Sequence, residues 1–78
     1  MDKFKKFLAK LDRKRRNRVA HVADCIELGM FKDLDIKPLQ GADGHFRCRV
    51  GDIRILFCRH GKGYMVYDAD FRGNIYKK

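Results

Sequence analysis

The sequence predicts a small α+β fold, an N-terminal helical hairpin packed on a small twisted antiparallel sheet. Three observations predict it. Apolar residues recur at helical spacing through residues 2–26, the period changes to two from residue 45, and Gly51-Asp52 sits between two alternating runs where a hairpin needs its loop. The chain has 78 residues, enough for one domain over 1–78, and a core this small needs nearly every apolar residue it has.

The first helix rests on Phe4, Phe7, Leu8 and Leu11, which share one face at i, i+3, i+4 and i+7. Asp12 suits the N-cap of a second helix, in which Val19, Val22, Ala23 and Ile26 repeat that spacing and Gly29 supplies the stop. Neither helix would be stable alone at this length, so each must bury its stripe against the rest of the fold. Residues 30–44 read as a connection, punctuated by Pro38, Gly41 and Gly44 and tacked to the core by Leu34, Ile36 and Leu39.

Gly51 at the first central position of the loop predicts a type II′ turn, and the turn sets a register: 50 opposite 53, 49 opposite 54, 48 opposite 55, 46 opposite 57. One face then holds Phe46, Cys48, Val50, Ile53, Ile55 and Phe57, an apolar surface for the helices. The other holds His45, Arg47, Arg49 and Arg54, with Leu56 and Cys58. The register comes from the turn alone, yet it separates the faces cleanly. A third strand follows "RHGKG". In "YMVYDADFR", the parity of Met65, Tyr67, Ala69 and Phe71 goes to the core, which puts Asp68, Asp70 and Arg72 on the arginine face.

That face carries the chemistry. Arg49 and Arg54 become directly opposed, with Cβ atoms roughly 5 Å apart, an arrangement that destabilises like charges. Convergent guanidinium groups present rigid forks of donors suited to phosphate. Asp68 and Asp70 either neutralise the arginines in part or orient them. His45 shares the arginine parity, and a histidine titrates near neutral pH, as an acid or a base. His21 and His60 read as helix-surface and loop residues. A second basic cluster, "RKRRNR" at 13–18, opens the second helix, where cations oppose the helix dipole.

Lys+Arg is 19 against 10 Asp+Glu, a net charge of +9, with a pI near 9.8. That balance points to an anionic partner: nucleic acid, an acidic protein or a membrane surface. No apolar run approaches membrane-spanning length, and the start, "MDKFKKFLAKL", is amphipathic rather than a signal sequence, so a cytoplasmic protein without a membrane partner is expected. Cys25, Cys48 and Cys58 make an odd count with no CxxC pair, which fits neither a disulfide framework nor a zinc site; buried or half-buried free thiols are expected. No metal-ligand cluster stands out, and no cofactor is implied.

A basic helical hairpin, then "KPLQG", then "FRCRVGDIRILF", then "DFRGNIYKK", resembles the RelE/ParE toxin superfamily, in its RelE-like branch, from about residue 4 to the C-terminus. The resemblance implies a RelE-like fold and the toxin of a type II toxin–antitoxin system, a ribosome-dependent mRNA endoribonuclease that inhibits translation. It implies as partners the ribosome, mRNA and a cognate antitoxin, small and either acidic or bearing an amphipathic helix, with the toxin a monomer inside that complex. The family's basic residues on alternate positions of one strand fall on Arg47 and Arg49, its arginine early in the next strand on Arg54, and its late arginine and tyrosine on Arg72 and Tyr76. The resemblance thus makes Arg49, Arg54, Arg72 and Tyr76 catalytic, and Arg47, Arg49 and Arg54 the nucleic-acid contacts.

Three departures accompany it. The family begins with a strand where this chain begins with a helix, so that a sheet edge is missing or the start lies upstream. Arginines replace the lysines of well-known RelE toxins, and Phe71 precedes Arg72 where a basic residue is common. Two other functions share the same features: a ParE-type topoisomerase poison without nuclease activity, and an inactive basic module that binds RNA or protein.

Overall fold

In a computed structural model of the chain, which describes residues 2–71, two helices precede a four-stranded antiparallel sheet of order β1-β2-β3-β4. Helix α1 spans Lys3–Ala9 and α2 spans Arg13–Glu27; the strands are β1 Asp35–Pro38, β2 His45–Val50, β3 Ile53–His60 and β4 Gly63–Phe71.

Local chemistry accounts for the helix ends. The Asp2 side chain accepts from Lys5 N at 2.8 Å and caps α1. Asp12 does occupy the N-cap of α2, but its side chain makes no capping hydrogen bond; the first turn of α2 is instead tied to the sheet through Arg15. Gly29 ends the helix with φ +75°. Met30 N bonds Cys25 O at 2.8 Å and Gly29 N bonds Ile26 O at 3.0 Å, the paired bonds of a Schellman motif.

The β2–β3 hairpin follows the register that its turn predicts, with Phe46 opposite Phe57, Cys48 opposite Ile55, Arg49 opposite Arg54 and Val50 opposite Ile53. Gly51 has φ +60° while Asp52 stays at negative φ, the pattern of a type II′ turn. The core joins Phe7 and Leu11 to Val19, Val22 and Ile26 of α2 and to Cys48, Val50, Ile53, Ile55, Phe57 and Ala69 of the sheet. Phe57 is completely buried, and its ring meets those of Phe31, Phe46 and Tyr64.

Two sequence-based expectations are corrected. The connection over 30–44 contains β1, a four-residue edge strand paired antiparallel to β2. Its ending at Pro38 fits an edge, where a missing N–H costs no ladder bond. The second correction concerns β4, where the register slips by one residue between Leu56 and Phe57: Leu56 faces Asp68 while Phe57 faces Val66, leaving Tyr67 as the extra residue of a β-bulge. Parity therefore inverts along the strand. Ala69 and Phe71 keep their predicted core side, but Tyr64 and Val66 pack on the core in place of Met65 and Tyr67.

Candidate nucleic-acid interface

Directly opposed residues of an antiparallel ladder project to the same side, so the register sorts the face opposite the core into rows. One row runs Asp35, Arg49, Arg54, Asp70. The next runs Lys37, Arg47, Leu56, Asp68, and a third joins His45, Cys58 and Met65. Arg47, Arg49 and Arg54 thus share a face, each half-buried.

The opposed arginines do not stand alone. Arg49 Nε donates to Asp35 Oδ2 at 3.0 Å, and Asp70 takes the register position beside Arg54. Two cations lie between two anions, so the repulsion that sequence alone assigns to Arg49 and Arg54 is offset from both sides. Asp35 belongs to the short strand that period-two patterning does not reveal. Asp68 is buried and accepts from Ala69 N at 2.8 Å, and Asp70 accepts from Phe71 N at the same distance.

The middle row is less balanced, with two cations to one anion. Lys37 is an addition that sequence reasoning misses for the same reason as Asp35. The Nη1 of Arg47 is buried and has no hydrogen-bond partner among the described residues. Such a donor costs about 1–3 kcal/mol unless an acceptor reaches it. Beside it lies a shallow pocket of about 480 Å³ lined by Lys37, Arg47, Pro38, Leu39 and Leu56 among others, so cationic donors adjoin apolar walls.

At the third row, the bulge turns Tyr67 toward β2. Its hydroxyl lies 3.1 Å from His45 Nδ1, and the rings meet edge-on with centroids 5.7 Å apart. Burial, then the neighbouring Cys58 and Asp68, push the Tyr67 phenol above its ordinary pKa. The basic run is partly structural: Arg15 pairs with Asp52 in the β2–β3 turn and lies 5.4 Å from the centre of the Phe71 ring. Their hydrogen bond raises the Arg15 guanidinium and holds the Asp52 carboxyl below its usual range. Arg13, Lys14, Arg16 and Arg18 are exposed. His21 and His60 are exposed as well, His60 ending β3. Arg72 and Tyr76 lie outside the described residues. Among the described residues, no group of three His, Cys, Asp or Glu is placed to hold a metal ion, and no helix is long and apolar enough to cross a membrane.

In fold, the chain is similar to a chain of the RelB-RelE antitoxin-toxin complex from Methanococcus jannaschii. The match has a TM-score of 0.76 at 27% sequence identity and covers 94% of this chain and 88% of that one. No protein-family model matches the chain, and no curated protein matches its sequence.

Proposed function

We propose that this protein is the toxin of a toxin–antitoxin pair, a single RelE-like domain that cleaves mRNA on the ribosome and so inhibits translation. The observation that carries the reading is the sheet face on which Lys37, Arg47, Arg49 and Arg54 occupy neighbouring register positions, away from the core. The likeness to a chain of an antitoxin-toxin complex supports the pairing with an antitoxin. A net charge of +9 suits both an RNA substrate and an antitoxin with an acidic or amphipathic segment.

Cleavage of RNA by its own 2′-hydroxyl needs a base, stabilisation of charge on the phosphate, and a proton for the leaving oxygen. Arginine stays protonated, so the arginines bind phosphate and stabilise the charge that builds on it. Arg47 and Arg54 are diagonal neighbours across β2 and β3, about 7–8 Å apart, and long side chains at that separation can meet on one phosphate. The orphaned Nη1 of Arg47 gains an acceptor when they do. Arg49, tied to Asp35, is the secondary contact. Arg72 and Tyr76 keep the roles that the family resemblance implies, a further charge stabiliser and a stacking or proton-transferring group.

The test is primer extension on a translated message, wild type against Arg54→Ala, with thermal melts alongside. Losing one such donor lowers cleavage about a hundredfold or more. Arg54 lies outside the core and between charges of both signs, so stability should move by no more than about 1 kcal/mol. Arg49→Ala should be the milder substitution. Unaltered cleavage by a folded Arg54→Ala protein rejects the assignment of this face. Wild-type protein that spares mRNA but blocks DNA supercoiling is a topoisomerase poison instead.

A further inference from the structure

The proposed cleavage leaves one role open: no arginine on the face can take a proton from the 2′-hydroxyl. His45 at the start of β2 can, and the bulge in β4 sets Tyr67 against it. His45 stands two residues from Arg47 on the same side of β2, about 7 Å along the strand. Its Nδ1 is 3.1 Å from the Tyr67 hydroxyl, and an open pocket of about 600 Å³, lined by His45, Cys58, Arg59, Asp43 and Gly44, adjoins it. A bulge that re-aims one side chain beside a cationic surface is common next to active sites.

We propose that His45 is the general base of the cleavage, with Tyr67 as the positioning residue that holds its ring so that Nδ1 carries the proton and Nε2 is free to accept one. This deepens the nuclease reading and rests on it. The phenol stays neutral through the physiological range because burial disfavours its charged form. A neutral phenol can accept from Nδ1–H or donate to a bare Nδ1. His45 acts in the first arrangement, which leaves Nε2 bare, and its ¹⁵N shifts decide between the two. Nε2 takes the 2′-hydroxyl proton as O2′ bonds to phosphorus. The P–O5′ bond then breaks, and O5′ leaves with a proton from water. The products are a 2′,3′-cyclic phosphate and a 5′-hydroxyl; His45 returns its proton to solvent. Arg47, one register step from His45, and Arg54, two steps away, hold the non-bridging oxygens. The titratable and charged groups near His45 are Tyr67 of β4, which touches its ring, Cys58, Arg59 and Asp43, which line the same pocket, and Arg47 two residues along its own strand.

The experiment measures cleavage of a translated message against pH for the wild type, His45→Gln and Tyr67→Phe, together with ¹⁵N shifts of His45 in the folded wild-type protein. Wild-type cleavage should rise along a limb in the histidine range. His45→Gln should lose that limb and about a hundredfold or more in rate. Tyr67→Phe keeps the ring and the packing, so it should lower kcat with little change in KM and move the limb. The ¹⁵N shifts should show Nδ1 protonated and Nε2 bare above the titration. A His45→Gln protein that keeps both rate and limb, or ¹⁵N shifts with the proton on Nε2, overturns the assignment while leaving the nuclease intact. Wild-type protein that cuts nothing overturns both.

Discussion

Asp35→Asn should make this protein bind RNA more tightly. Asp35 holds Arg49 through a single 3.0 Å contact, and both side chains are partly exposed, at 45% and 35%. An anion that uses Arg49 must compete with that carboxylate. Asparagine keeps the shape and still offers an oxygen to Nε–H, so the substitution removes charge and little else. Exposed pairs of this kind are worth about 0.2–1 kcal/mol, which corresponds to roughly 1.4- to 5-fold in affinity. The row of Asp35, Arg49, Arg54 and Asp70 would pass from neutral to one net positive charge. With one more phosphate neutralised, the slope of log affinity against log salt should steepen by about 0.7 for a single strand. Fluorescence anisotropy with a short labelled single-stranded RNA, repeated over a range of salt, measures both. Asp24→Asn is the control, since it makes the same change in net charge at an exposed position of α2. If Asp35→Asn binds no better than wild type at low salt, or no better than Asp24→Asn, then Arg49 and its row do not face the RNA.

Three further outcomes concern the fold. Phe57→Ala empties a fully buried ring site and should cost about 3–5 kcal/mol, enough to unfold much of so small a domain in a denaturant titration. Gly51→Ala meets no atom within 4 Å but must hold φ +60°, so it should cost about 1–2 kcal/mol through backbone strain alone, by the same measurement. Burial pushes the Cys48 thiol from 9.0 up to about 11, so at pH 8 native protein should be alkylated at Cys25 and Cys58 well before Cys48, as read by mass spectrometry. The sign follows: the fold favours the protonated thiol, so this contribution to stability is full below pH 9 and is lost as pH rises toward 11.

The helices and the β2–β3 hairpin were legible because two independent signals agree there. The turn at Gly51 and the apolar alternation demand one register, and the sheet adopts it. In β1 there is only Asp-Ile-Lys-Pro, too short to show a period and three-quarters exposed, so nothing marks it as a strand until β2 is there to pair with it. Asp35 and Lys37 were lost from the candidate site with it, and so was the reason that Arg49 and Arg54 can share a row. Arg72 and Tyr76 were legible only through family resemblance, and they fall outside the described residues.

The bulge in β4 does carry a sequence signal, in the conflict between two registers. The Gly61-Lys62 turn is a second two-residue loop with a glycine at positive φ in first place. The rule that set the first hairpin, applied here, puts Phe57 opposite Val66 and Tyr64 on the core side. The apolar residues at the far end demand a different register, with Ile55 opposite Ala69 and Ile53 opposite Phe71. The two differ by one residue, and both can hold only if one residue of β4 is left unpaired between Val66 and Asp68. Parity counted along the whole strand hides that conflict, because Met65 and Tyr67 are as apolar as Tyr64 and Val66. The residue left over is Tyr67, so the same conflict of registers that bends the strand sets a phenol against His45, one step along β2 from Arg47.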